Sequence, residues 1–266
     1  MTSGTLEVGD GCRLAYTLDG PEDAPVLMLS NSLGTRLDMW APQLPAFAER
    51  FRALRYDSRG HGGSDVPHGA YSIDRLGRDA LELLDALGIG RFWFCGLSMG
   101  GMVGQWLGVR AADRLEGLVL ANTAAHMGPA STWQARIATV REKGMQALID
   151  PVLERWFTPG FRERSPDAVD PVRSMLLECP PDGYAGCCAA IRDMDQRRTV
   201  ALIQVPTLLI TGLHDPSTPP AEAAFLNAAI AGSRVVSLDA AHLSNVEQPA
   251  AFTAAVREFV DDTIKE

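Results

Sequence analysis

Arg91-Phe92-Trp93-Phe94-Cys95-Gly96-Leu97-Ser98-Met99-Gly100-Gly101-Met102-Val103-Gly104-Gln105-Trp106-Leu107 is the stretch that decides how this chain reads. Its first part, Arg91–Cys95, is a near-continuous apolar run, as expected of a strand covered on both faces. Its last part, from Met102 to Leu107, has a helical pattern. Between them, Gly96-Leu97-Ser98-Met99-Gly100 puts a serine on the strand-to-helix turn, with a glycine two positions to either side. A sharp, strained turn of this kind needs small residues at those flanking places. The helix that follows aims its first amides at the serine, where negative charge would develop in an acyl-transfer reaction. Ser98 is the candidate nucleophile.

Moving outward, similar short apolar runs recur along the chain. Leu14–Thr17, Pro25–Ser30 and Phe51–Asp57 precede the serine; Leu115–Ala121, Val205–Ile210 and Arg234–Leu238 follow it. Helical patterns lie between them. From Ser72 to Leu87 the residues Ile73, Leu76, Ala80, Leu83, Leu84 and Leu87 keep one face apolar. Strand–helix alternation predicts an α/β fold, a mostly parallel sheet flanked by helices. From 122 to 199 the strand signals vanish, and Arg, Met and Trp recur at helical spacing between Pro151, Pro159, Pro166, Pro171 and Pro180-Pro181. This stretch reads as a helical cap, or lid, inserted into a core formed by 1–121 and 200–266.

The serine needs a base, and the base needs an orienting acid. In this class of turn the order along the chain is nucleophile, acid, histidine. Asp215, in Thr211-Gly212-Leu213-His214-Asp215-Pro216 just past a strand run, is the expected acid; Asp239 lies too near the histidine loop to serve easily. His242, after the last strand run, is the expected base, because imidazole titrates near working pH and a carboxylate can hold its tautomer. Two backbone amides are expected to receive an oxyanion, those of Met99 and of Leu33 in the loop Asn31-Ser32-Leu33-Gly34, with Ser32 lining the site. The glycine-rich Asp57–Ser64 turn, which holds His61, is read as structural. His68, His126 and His214 carry no expected role.

Composition bounds the rest. The chain has 266 residues, 46% hydrophobic and 21% charged, which is enough for a sizeable core. A net charge of −9 without a clustered basic face argues against nucleic acid, and any anionic substrate must be held by local cations. No apolar run is long enough to span a membrane, and the first residues have no secretion-signal pattern. Cys12, Cys95, Cys179, Cys187 and Cys188 show no zinc-like pairing and read as free thiols of a reducing cytoplasm. No metal and no cofactor is expected, and a homo-oligomer is left open.

The elbow, the Asp57–Ser64 turn, Gly212-Leu213-His214-Asp215 and Ala241-His242 together resemble the α/β-hydrolase superfamily over the whole chain. A narrower set resembles the 3-oxoadipate enol-lactonases of bacterial aromatic catabolism. It comprises Asn31–Thr35 with Trp40, Gly96–Met102, Ala121–Ala124 and Ala241–Pro249. This resemblance implies a small anionic lactone as substrate, opened by Ser98 and His242 through an acyl-enzyme. It also asks for a cation to meet the carboxylate, for which Arg136, Arg141, Arg155, Arg173, Arg192, Arg197 and Arg198 are available, with Arg136 expected to line the substrate site. Trp133 is expected to wall the substrate ring, while Asp193 and Asp195 are expected to pair with nearby arginines. A carbon–carbon bond hydrolase, a general carboxylesterase or perhydrolase, and a ligand receptor on the same fold are the competing readings.

Overall fold

Eight strands form one sheet in the computed structural model, which describes residues 1–265. They are β1 (Thr2–Glu7), β2 (Arg13–Asp19), β3 (Val26–Ser30), β4 (Arg52–Tyr56), β5 (Phe92–Leu97), β6 (Leu115–Ala121), β7 (Thr207–Gly212) and β8 (Arg234–Leu238). The order across the sheet is β1-β2-β4-β3-β5-β6-β7-β8. β1 and β2 pair antiparallel with each other, and β2 pairs antiparallel with β4; every other pairing is parallel. The central strand β5 is buried at every residue, as its apolar run requires.

The helices are α1 (Leu44–Ala48), α2 (Ile73–Ala86), α3 (Met99–Arg110), α4 (Ala130–Lys143), α5 (Ile149–Trp156), α6 (Pro159–Arg164), α7 (Pro166–Glu178), α8 (Pro181–Asp193), α9 (Pro220–Ala229), α10 (Ser244–Glu247) and α11 (Pro249–Lys265). α2 starts at Ser72, whose hydroxyl accepts from Arg75 N at 3.1 Å, and it buries Ile73, Leu76, Ala80, Leu83 and Leu84. α3 packs on β5 and β6 and on α2, while α11 lies against β6, β7 and β8.

Two strand readings change. Thr2–Glu7 has no apolar run because it is an exposed edge strand, only Leu6 being half-buried, so it leaves no periodic signal. Arg234–Leu238 forms at the opposite edge, with Arg234, Val235 and Ser237 exposed; it is not covered on both faces. The five cysteines are buried free thiols.

Between β6 and β7 the chain builds α4 to α8 and, among the described residues, no strand; a single bridge pairs His126 with Asp195. Pro159, Pro166 and Pro181 stand at first helical positions, where the missing N–H has no acceptor to lose. Pro171 instead lies inside α7. It removes one helical hydrogen bond, yet the helix runs on because Val169, Val172, Met175 and Leu176 are buried against neighbouring elements. Among the described residues no helix is long and apolar enough to cross a membrane.

Candidate active site

Ser98 sits between β5 and α3 at φ 58° and ψ −114°, a left-handed conformation that a side-chain-bearing residue adopts only under constraint. The constraints are visible around it. Ser98 N donates to Ala121 O at 2.9 Å, Gly100 N to Asn31 O at 3.0 Å, and Thr123 Oγ1 to Ser98 O at 2.8 Å. A Cβ on Gly96 would stand 2.2 Å from Gly100 O, and one on Gly100 would stand 2.1 Å from Ser30 O. The two glycines let strand and helix approach closely enough to hold the serine in this pose.

Two loops at the carboxyl ends of the strands bring its partners to it. His242, after β8, accepts from Ser98 Oγ at Nε2 across 2.9 Å and donates from Nδ1 to Asp215 Oδ2 across 2.7 Å. Asp215, after β7, receives Ser217 N and Thr218 N on Oδ1 at 2.8 and 3.0 Å. Its Oδ2 also receives Thr218 Oγ1 at 2.7 Å and Asn122 Nδ2 at 3.0 Å. Burial alone would raise this carboxyl, but the field of His242 and the hydrogen bonds from His242, Asn122 and Thr218 outweigh it and hold it below the ordinary value. Asp215 is therefore a carboxylate that fixes Nδ1–H toward itself and leaves Nε2 free to take the serine proton. Asp239, the competing acid, faces away and accepts from His214 Nε2 at 2.8 Å.

The loop after β3 is held from behind. Asn31 Nδ2 donates to Tyr56 O at 2.8 Å, and Trp40 Nε1 donates to Asn31 Oδ1 at 2.9 Å. Gly34 N donates to His61 Nε2 at 2.8 Å, and Asp57 receives Leu37 N and Gly63 N at 2.7 and 2.8 Å. The Asp57–Ser64 turn thus braces the loop that carries Leu33. Burial pushes His61 down to about 4, which keeps Nε2 an acceptor at neutral pH. Among the described residues, neither Leu33 N nor Met99 N donates to a protein acceptor.

A cavity of about 290 Å3 opens over Ser98 and His242. Ser32 and Leu33 line one side; Trp133 and Arg136 of α4, Arg155 and Trp156 of α5 and Tyr184 of α8 line the other. The Ser32 hydroxyl is buried and has no hydrogen-bond partner among the described residues. Trp133 is only 8% exposed, anchored by Nε1 to Met127 O at 2.8 Å, so it is both packed and cavity-lining. Arg136 lies 4.8 Å over its ring.

The other arginines between 122 and 199 separate by partner. Arg173 pairs with Asp150, Arg192 with Asp193 and Arg197 with Asp195, which also places both aspartates as expected. Arg141 and Arg198 are exposed and do not line the cavity. Arg136 and Arg155 face the cavity and, among the described residues, form no ion pair. Burial and the nearby charge of Arg136 hold the Arg155 guanidinium below its ordinary value. Sequence reasoning left Arg155 as one of seven, because its helical spacing says nothing about which face meets the serine. Asn122 and Thr218 were missed as partners of Asp215. Their neighbourhood was signalled only by Ala121–Ala124 and by the loop after Asp215.

A buried serine, imidazole and carboxylate in sequence-distant loops, with free amides beside the serine, is the site geometry of one large enzyme family. Residues 25–161 match the α/β hydrolase fold. The chain belongs to the α/β hydrolase family. This hydrolase is 45% identical over 243 residues, 91% of either chain, to 3-oxoadipate enol-lactonase 2 of Acinetobacter baylyi. Its structure superposes with a TM-score of 0.95 on the enol-lactonase of Burkholderia xenovorans, at 46% identity over 97% of this chain and all of that one. A hydrolase from Pseudomonas aeruginosa gives the same TM-score at 50% identity, covering 97% and 98% of the two chains.

Proposed function

We propose that the protein hydrolyses 3-oxoadipate enol-lactone to 3-oxoadipate, with Ser98 as nucleophile, His242 as base and Asp215 as its orienting acid. The observation that carries this reading is the pair Arg136 and Arg155, unpaired cations facing the cavity over Ser98 in a chain of net charge −9. Two uncompensated guanidiniums in one cavity are unfavourable alone and become favourable when a carboxylate arrives between them. That is the chemistry of a small anionic ester, and it is what the enol-lactonase relatives' name requires of a substrate.

In the first half-reaction, Ser98 Oγ attacks the lactone carbonyl as His242 Nε2 takes its proton, and the tetrahedral oxyanion rests on Leu33 N–H and Met99 N–H. Collapse breaks the ring carbon–oxygen bond. The ring oxygen leaves as an enolate and takes the proton from His242 to give the enol, which tautomerises to the ketone by moving that proton from oxygen to carbon. In the second half-reaction, His242 takes a proton from water, the hydroxide attacks the acyl carbon, and the Ser98 ester bond breaks with the proton returning to Oγ. Trp133 walls the ring, and Ser32 offers its hydroxyl to the substrate. The α4–α8 segment acts as the cap that selects it.

The test is direct. Purified protein opens 3-oxoadipate enol-lactone far faster than it cleaves p-nitrophenyl acetate or a ring-cleavage dienoate. Slow lactone opening with fast turnover of either alternative rejects the reading.

A further inference from the structure

Glu247 closes α10 and is buried, yet it takes no part in the serine–histidine–aspartate chain. Its carboxylate joins two segments far apart in sequence. Oε2 accepts from Ala241 N at 2.9 Å, the residue before His242. Oε1 accepts from the hydroxyl of Thr158, and Thr158 N lies 3.3 Å from both oxygens. Thr158 caps α6, its hydroxyl oxygen accepting from Phe161 N at 3.4 Å, so the hydroxyl proton is free for the carboxylate. Two residues earlier, Trp156 O accepts from Leu243 N at 3.1 Å, and the Trp156 ring stands 6.2 Å from the His242 ring at 32°. The loop bearing His242 is thereby held on both sides to the end of α5, the helix that presents Arg155 and Trp156 to the cavity.

We propose that Glu247 is a positioning residue that couples the cap to the base: it sets the His242 ring against Ser98 through Ala241 and ties that setting to the α5–α6 junction through Thr158. This rests on the role given to His242 above, but not on the identity of the ester. Every partner of Glu247 is a donor, so the site wants an acceptor on both oxygens. An amide has one acceptor oxygen only and must turn its NH2 toward Ala241 N–H or toward Thr158. Losing either arm loosens the His242 loop and leaves the Leu243 N–Trp156 O bond as its remaining tie to α5. The ground-state cavity keeps its arginines, so binding changes little while the proton transfer loses its geometry.

The experiment compares wild type with Glu247→Gln, Thr158→Val, Thr158→Ser and the Gln/Val double variant. Two readouts are taken, turnover of p-nitrophenyl acetate and of the lactone, and the deshielded proton NMR signal of the His242 Nδ1–H···Asp215 bond. Glu247→Gln and Thr158→Val are expected to lower kcat about five- to twentyfold with KM within about twofold, and to shift or broaden the Nδ1–H signal. Thr158→Ser is expected to retain both, and the double variant to be no worse than Glu247→Gln alone. Variants that melt earlier but keep the wild-type kcat and Nδ1–H signal overturn the proposal, since a merely structural tie would do just that. If Glu247→Gln does not fold, Thr158→Val decides alone. A protein that fails on the lactone but shows the NMR changes rejects the substrate reading and leaves this one standing.

Discussion

Asn122 Nδ2 lies 3.0 Å from Asp215 Oδ2, on the same oxygen that receives the His242 proton. The amide also donates to Ala241 O at 3.2 Å, and its oxygen accepts from Ser244 Oγ at 2.6 Å. One side chain from the end of β6 therefore touches the acid, the residue before the base and the start of α10. Its backbone φ of 42° is left-handed, where asparagine is better tolerated than most residues. Asn122→Gly keeps the backbone and removes the amide. We expect kcat/KM to fall about tenfold, the worth of one hydrogen bond to a charged group. Wild-type steady-state kinetics in that variant would reject the role.

Ser98, Asp215 and His242 were legible because each signal is local: a turn between strand and helix, and two loops just past strands. Asn122 and Glu247 were visible only as parts of family-like segments. Their partners lie at 215, 158 and 241, and pairings across loops leave no period in the sequence. Arg155 was hidden for another reason. α5 is short and amphipathic, so its pattern shows which face is buried but not that Arg155 points into the serine's cavity. β1 was missed because an exposed edge strand has no apolar face to show.

Arg136 and Arg155 predict a split between substrates. Replacing either by Gln removes a charge-assisted contact of about 1.5–3 kcal/mol. KM for the anionic lactone should rise roughly tenfold to a hundredfold, while p-nitrophenyl acetate, which carries no carboxylate, is unaffected. Equal losses on both substrates would mean that the arginines only support the cap.

The elbow predicts intolerance at its glycines. A Cβ on Gly100 would meet Ser30 O at 2.1 Å, and neither backbone can yield without moving β3 or α3. Gly100→Ala should lower stability by about 3 kcal/mol, read from the denaturant midpoint. An unchanged midpoint contradicts the close approach. Ser98→Ala fills no space and should fold normally, with turnover of any ester reduced about 10⁴-fold or more.

His61 predicts a dependence of stability on pH. Its folded value is about 4, against an unfolded value near 6.5, so the unfolded chain binds the proton more readily between these limits. Its contribution is fully present above about 6.5 and is lost as pH falls toward about 4. Between pH 7 and pH 5 the loss is about 2 kcal/mol. Urea titrations at the two pH values should show it in wild type and not in His61→Gln; an equal loss of stability in both would refute the buried neutral imidazole.

β6 and β7 are neighbours in the sheet, with Ala121 opposite Ile210 and Asn122 N bonded to Ile210 O at 2.8 Å. Everything between them leaves and rejoins the core through adjacent doorposts. Such a cassette is expected to be exchangeable for that of another hydrolase, since both its ends lie on paired strands. A graft that brings new walls without a donor in the place of Thr158 would inherit a new pocket over a slackened histidine. Chimeras in this family should therefore be cut to carry both ends of the tie, 158 and 247, from the same parent.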